Sequence, residues 1–279
     1  MSKIDPNKLL ISSAFYTVQG EGISSGIPAY FVRLGICNLT CGMSRKFTNQ
    51  LEKEQKLEDG EIFVGDLHAE GKATWTCDST SQWLWRGEDK EFQYLIDRWK
   101  EEGVYGGILN GNIRIIWTGG EPTIKGHQES IVNFHNYWKN LMGLYDMSKV
   151  FNEIETNGTI VIDQPLFKYL QQINCSPKLA NSGMTSKQRI VPAAIKRVME
   201  HNNYQFKFVI STEEDVKEIF RDFVEPFNIP LKNVVCMPGL DDASNFEERT
   251  RFVMEMAKKY RFRGLTRLHI AAWNKTLNV

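Results

Sequence analysis

Apolar positions along the chain follow two alternating periods. Short runs rich in β-branched and aromatic residues predict strands at 29–36 (AYFVRLGI), 113–119 (IRIIWTG), 150–158 (VFNEIETNG), 172–176 (QINCS), 204–210 (YQFKFVI), 233–239 (NVVCMPG) and 266–272 (TRLHIAA). Between them, apolar residues recurring about every three or four positions predict helices over 88–103, 127–143, 192–202, 213–227 and 245–260. Strands separated by helices indicate a largely parallel sheet with right-handed crossovers. About six such units are too few to close a barrel of roughly eight strands. The expected fold is therefore α/β, an open or incomplete (β/α) barrel. Polar residues that follow a strand then lie at its C-terminal end, where such folds keep their chemistry.

One stretch breaks the pattern. From Gly42 to Thr76 the chain is polar and dense in charge (RKFTNQLEKEQKLEDGE), and it interrupts the first strand–helix connection. Loops this long are uncommon in compact domains unless they are functional. The expectation is one domain over residues 1–279 with an insertion at 42–76.

Composition narrows the class only a little. With 279 residues, 42% hydrophobic and 24% charged, the chain suits a soluble globular protein with a core that needs no disulfides. Lys+Arg and Asp+Glu each total 34, so no overall basic field points to nucleic acid or an anionic membrane. No apolar run approaches about 18 residues and the N-terminus lacks a signal-type apolar segment, so a cytoplasmic protein is expected. Five cysteines then favour metal binding or burial over a disulfide framework.

Cys37 and Cys41 are separated by three residues, and position 44, where a third thiolate is sought, holds Ser44. The site is broken, coincidental, or completed from elsewhere. Cys77 lies just past the polar stretch. Loop-closure entropy rises only logarithmically with length, so Cys77 can rejoin Cys41 at a cost of a few kcal/mol. A structural zinc site takes four protein ligands. A cubane iron–sulfur cluster held by three cysteines instead leaves one iron open.

The motifs FYTVQGEG (15–22), VRLGICNLTC (32–41), TCDS (76–79), TGGEP (118–122), IETNG (154–158), SPK (176–178), KFVI (207–210), MPG (237–239) and RLH (267–269) occur in the order seen in 7-carboxy-7-deazaguanine synthases. The chain resembles that family of radical S-adenosylmethionine (SAM) enzymes from about residue 13 to residue 273. The superfamily spaces its three cysteines by three and two residues. Here the pattern reads Cys37-x3-Cys41-x35-Cys77, and the family's Cys-Asp-Thr is matched by Cys77-Asp78-Ser79. By this alignment the site is split by the insertion, and Ser44 is an accident of spacing.

The resemblance implies a 4Fe-4S cluster on Cys37, Cys41 and Cys77, with SAM chelated at the open iron and cleaved to a 5′-deoxyadenosyl radical. It places Gly119, Gly120, Glu121, Asn157, Ser176, Lys178 and Met237 around SAM. Gln19, Glu21, Arg33, Thr118, Glu155 and His269 are implied around the substrate, 6-carboxy-5,6,7,8-tetrahydropterin. The implied reaction is ring contraction to 7-carboxy-7-deazaguanine with loss of ammonia, a carbon–nitrogen lyase step of the queuosine-type pathway. Glu accepts from the N–H groups of a guanine-like edge, and the Arg fork suits a carboxylate. Ser79 is the implied magnesium ligand, with Thr80 as the alternative. An external flavodoxin-like or ferredoxin-like electron donor and a homodimer are implied as well, with no membrane or nucleic-acid partner.

Each assignment has a plainer alternative. Asn157 and Ser176 suit helix caps, Ser79 suits a cap on a helix over 81–100, and TGGEP suits a turn. Cys175 and Cys236 read as core residues, and His68 as a solvated loop histidine. Two other functions compete: an activase that installs a glycyl radical on a partner protein, and a zinc module whose long loop binds a partner.

Overall fold

A ten-residue strand that periodicity does not single out, β1 (Leu9–Val18), opens the fold and pairs antiparallel with β2 (Pro28–Leu34). The structure is a computed structural model and describes residues 4–43, 73–75, 77, 79, 86–239, 244–274 and 276. β1 hides from pattern reading because its register shifts between Ile11 and Ser13. An extra residue reverses the alternation. Leu9, Ile11 and Ala14 thus share one core, while Phe15 turns to the opposite face and stacks on Phe31 with ring centroids 5.6 Å apart.

β3 (Glu88–Lys90) pairs with the outer side of β1. β2 continues into parallel strands β4 (Arg114–Gly119), β5 (Asn152–Thr156), β6 (Gln172–Cys175), β7 (Tyr204–Ile210), β8 (Val234–Pro238) and β9 (Arg263–Gly264). The order is β3-β1-β2-β4-β5-β6-β7-β8-β9, and β3 and β9 are not joined to each other. This is the open, incomplete barrel. Its six central parallel strands are those expected from sequence.

The helices are α1 (Phe92–Glu101), α2 (Tyr105–Leu109), α3 (Lys125–Met142), α4 (Gln164–Phe167), α5 (Ser186–Arg189), α6 (Pro192–Met199), α7 (Glu213–Ile219), α8 (Glu225–Phe227), α9 (Phe246–Tyr260) and α10 (Leu268–Trp273). Residues 213–227 are helical throughout, but a π-helical stretch, Phe220–Val224, joins α7 to α8. Two expectations are corrected. Residues 88–90 are strand, because their backbone pairs with Leu9–Ile11. Residues 266–272 supply α10 instead of a last strand: Ile270 N–H and Ala271 N–H both donate to the Arg267 carbonyl. Seven residues of mixed polarity suit either period, and the neighbour of β8 is already supplied by β9.

The two faces of the sheet differ in chemistry. Ile115, Trp117, Ile154, Ile173, Phe206, Phe208 and Val234 face a large apolar core that includes Trp99, Phe134 and Trp138. Trp99 packs 5.0 Å from Trp138 and edge-on to Phe134 at 5.7 Å, a geometry worth about 1 kcal/mol per pair beyond area burial. Cys175 and Cys236 are fully buried in this layer, as read from sequence. The alternate residues, Arg114, Glu153, Glu155, Asn174, Gln205 and Lys207, point to the other face and bind one another. That polar concave face is where the candidate site lies. Among the described residues no helix is long and apolar enough to cross a membrane.

Candidate active site

The backbone after β2 is pinned from three sides before it reaches Cys37. Gly35 N–H donates to the Leu10 carbonyl at 3.0 Å. The Gly35 carbonyl accepts from His127 Nε2 at 2.7 Å, and the Ile36 carbonyl accepts from Glu121 N–H at 2.9 Å. Ile36 is held at φ 65°, which a β-branched residue adopts only when its surroundings enforce it.

The glycines of TGGEP enforce it. A Cβ on Gly120 would lie 1.9 Å from the Ile36 carbonyl oxygen, and one on Gly119 would lie 2.3 Å from Leu34 N and O. The two glycines let the end of β4 lie directly against the cysteine loop. Glu121, with no exposed surface, then ties three segments together. Its carboxylate accepts from Thr123 N–H (2.9 Å), Thr123 Oγ1 (2.6 Å), Thr156 Oγ1 (2.8 Å) and Asn157 N–H (2.7 Å). Burial pushes its pKa up, against those four donors.

Cys37, Cys41 and Cys77 come together in a small apolar pocket with Leu39, Trp75, Met184 and Val209. The fold therefore returns the chain to Cys41 after the long polar stretch. The junctions are visible on both sides: Gly42 N–H donates to Ser182 O and Thr74 N–H to Asn181 O, each at 2.9 Å. Residues 44–72 and 76 of the polar stretch expected to be an insertion, with Ser44 and His68, lie outside the described residues, as does Thr80.

Three thiols in apolar surroundings suit an iron–sulfur cluster, whose sulfurs are tuned by a few N–H donors. Leu39 N–H points at Cys37 Sγ from 3.5 Å and Asn157 Nδ2 from 4.0 Å. Burial, followed by the negative Glu121, pushes the Cys37 thiol well above its ordinary range. No group of three or more His, Cys, Asp or Glu among the described residues is gathered as one metal ion requires.

The residues expected around SAM flank this pocket. Asn157 Nδ2 donates to Asn38 Oδ1 at 2.9 Å, and Asn157 Oδ1 accepts from Thr159 Oγ1 at 2.6 Å. Ser176 follows β6, with its N–H bound to the Thr156 carbonyl at 2.7 Å. Lys178 Nζ donates to Ser176 Oγ at 3.3 Å and sits 5.6 Å from the Trp75 ring centre. Met237 is buried on β8 beside Val209 of β7. Ser79 is half-buried two residues after Cys77, and residues 80–85, where a helix capped by Ser79 would begin, lie outside the described residues.

The residues expected around the substrate fall along the concave face. Gln19, 2% exposed, donates from Nε2 to Glu155 Oε1 at 3.0 Å and accepts from Glu21 N–H at 3.1 Å. Glu21 binds Arg267 Nε at 2.8 Å and Lys207 Nζ at 3.3 Å. Burial alone raises the Glu21 pKa, but Arg267, Lys207 and His269 outweigh it and hold the carboxyl well below the usual range. Burial raises Glu155, and its ion pair with Lys207 opposes the rise. His269 packs over Gly20, where a Cβ would meet its Nδ1 at 2.3 Å. Arg33 and Thr118 are paired neighbours near the ends of β2 and β4, and the Arg33 guanidinium lies 4.8 Å from the Phe15 ring centre.

Sequence reasoning missed Glu153, Asn174, Lys207 and Arg267, which bind the expected residues directly, and Gln205, which binds Asn174. Lys207 is 1% exposed. For Asn174, Gln205 and Lys207 the signal was available in QINC and YQFKF, where polar residues occupy every second position of otherwise apolar strands.

No family model matches the chain. A curated 7-carboxy-7-deazaguanine synthase from Pyrobaculum aerophilum is 26% identical over 272 residues, covering 95% of each chain. One of the same name from Halobacterium salinarum is 25% identical, covering 97% of this chain and 92% of its own. The crystal structure of QueE from Escherichia coli shares the fold, with a TM-score of 0.56 and 21% identity over 94% of this chain and 95% of that one. Relatives of one name align over nearly the whole chain, and the shared open barrel and the three-thiol pocket agree with them: the chain is similar throughout its length to 7-carboxy-7-deazaguanine synthases.

Proposed function

We propose that this chain contracts the ring of 6-carboxy-5,6,7,8-tetrahydropterin to 7-carboxy-7-deazaguanine with loss of ammonia, in a queuosine-type pathway. The observation that carries the reading is on β5. Glu155 joins the polar network of Gln19, Asn174 and Lys207, and Asn157, two residues on, reaches Cys37. Two residues of strand span about 7 Å, so a ligand on the first group lies next to a ligand on the second.

When bound, the 4Fe-4S cluster and SAM supply one-electron, hydrogen-abstracting chemistry, which the protein positions and shields. Cys37, Cys41 and Cys77 hold the cluster, and Gly119, Gly120, Glu121, Asn157, Ser176, Lys178 and Met237 frame SAM. Glu155 and Glu21 accept from the N–H edge of the pterin, and Gln19 bridges them. Lys207 keeps two buried carboxylates from facing each other uncompensated. Arg33 presents its fork to the substrate carboxylate beside Thr118, and His269 closes the pocket over Gly20. Ser79 contributes a hydroxyl to Mg²⁺, which orients the same carboxylate. The chain acts as one cytoplasmic radical SAM domain carrying an insertion at 42–76. It works as a homodimer with a flavodoxin-like or ferredoxin-like donor.

Anaerobic reconstitution followed by assay with the pterin tests the reading. Expected are about four irons per chain, a 7-deazaguanine chromophore, loss of both in Cys77→Ser and retention in Ser44→Ala. Stoichiometric zinc, or a Cys77→Ser variant with a full cluster, overturns it.

A further inference from the structure

Both ends of the inserted stretch rest on one short turn. Gly42 and Thr74 donate to the adjacent carbonyls of Ser182 and Asn181, in the 3-10 turn Ala180–Ser182. That turn follows Lys178 by two residues. Trp75, 8% exposed, locks the returning chain to it: the indole N–H donates to Asn181 Oδ1 at 2.8 Å. Asn181 in turn donates from Nδ2 to the Val209 carbonyl on β7 at 3.1 Å, so the turn is fixed to the sheet. The same indole carries the Lys178 ammonium 5.6 Å from its ring centre and packs in the pocket of the three thiols.

From this geometry we propose that Trp75 is a positioning residue with two tasks: it seats Cys77 beside Cys37 and Cys41, and it steers Lys178 towards SAM. The inference rests on the cluster reading above. Cys41 and Cys77 are separated by 35 residues of sequence, so the third ligand is in register with the first two only if the chain just before it is fixed. A buried aromatic ring with one directed hydrogen bond fixes both position and rotation, because its N–H must find a partner when buried. The indole face then holds the ammonium by cation–π attraction.

The test is anaerobic reconstitution of the full chain as wild type, Trp75→Ala, Trp75→Phe and Asn181→Ala. Iron per chain, the change of the reduced-cluster spectrum on adding SAM, and the urea midpoint of the apo chain are measured. Trp75→Ala is expected to lower the apo midpoint, as truncation of a buried aromatic does, and to lower iron affinity about tenfold, as for other residues that orient ligands. Trp75→Phe, which keeps the ring beneath Lys178, restores the SAM-induced spectral change. Asn181→Ala lowers iron retention without abolishing that change. Iron and SAM response in Trp75→Ala equal to wild type overturn the proposal. So does an equal drop in apo stability and iron for both Trp75 variants, which marks ordinary packing. A wild-type chain that takes up no iron overturns the cluster reading itself, and this inference with it.

Discussion

His127 Nε2 lies 2.7 Å from the carbonyl oxygen of Gly35, two residues before Cys37. A carbonyl only accepts, so the imidazole carries its proton on Nε2, and Nδ1 has no hydrogen-bond partner among the described residues. Helix α3 thus supports the cysteine loop through one neutral histidine. His127→Ala removes the donor and leaves a small cavity; the expected cost is about 2–4 kcal/mol with weaker iron retention, and His127→Gln recovers part of both. Urea midpoints and iron counts check this.

The same histidine gives the fold a pH dependence. Burial pushes His127 down to about 4 and His135 to about 3, from 6.5. As pH falls, the unfolded chain takes up these protons first. The stabilisation is therefore complete above pH 6.5 and is lost as pH falls towards 4 for His127 and 3 for His135. Urea midpoints between pH 8 and pH 5 should decline in the wild type and decline less in His127→Gln; parallel profiles would contradict the assignment.

Gly120→Ala tests the close approach of β4 to the cysteine loop. Its methyl group would meet the Ile36 carbonyl oxygen at 1.9 Å, and both partners are backbone. Overpacking of this kind costs about 1–3 kcal/mol, and relief requires moving Cys37. The variant should fold with a reduced midpoint and retain little iron after reconstitution. Full iron loading would show the loop to be more pliant than its hydrogen bonds to Leu34 and Ile36 suggest.

Lys207→Met removes the cation between Glu155 and Glu21. Breaking a buried pair by removing one partner costs about 3–5 kcal/mol. Burial already raises the Glu155 pKa, so protonation relieves the variant as pH falls. The stability gap to wild type, read from urea midpoints, should be largest near pH 8 and narrow towards pH 5. A gap that stays constant would mean that Lys207 contributes packing and not charge.

Arg33→Lys separates charge from shape. Arg33 stacks on Phe15 and, in the proposed function, offers a planar fork to a carboxylate. Lysine keeps the charge and loses the fork, so the pterin KM should rise roughly tenfold, the size of one lost bidentate contact, with a smaller change in kcat. Steady-state kinetics of the wild type and Arg33→Lys measure the split.

Local pattern was enough for the parts of this protein that depend on neighbours in sequence. The six central strands, the helices at 127–143, 192–202 and 245–260, and the motif order that carries the resemblance could all be read from the chain. Gln19, Glu155, Asn157 and Lys178 were legible as candidates, the last three because each follows or ends a strand with a recognisable pattern and Gln19 because of the motif that carries it. Tertiary structure decided what depends on partners distant in the chain. β1 needed its bulge against β2 to show its two faces, and residues 266–272 became helix once Arg263–Gly264 had taken the edge of β8. Lys207 and Asn174 gained meaning only when parallel register brought alternate residues of β5, β6 and β7 onto one concave face, and Arg267 only when the fold brought it to Glu21. Cys77 was legible as a candidate, but its return to Cys41 was not: loop closure permits the approach, and Trp75, Asn181 and the Ala180–Ser182 turn hold it there.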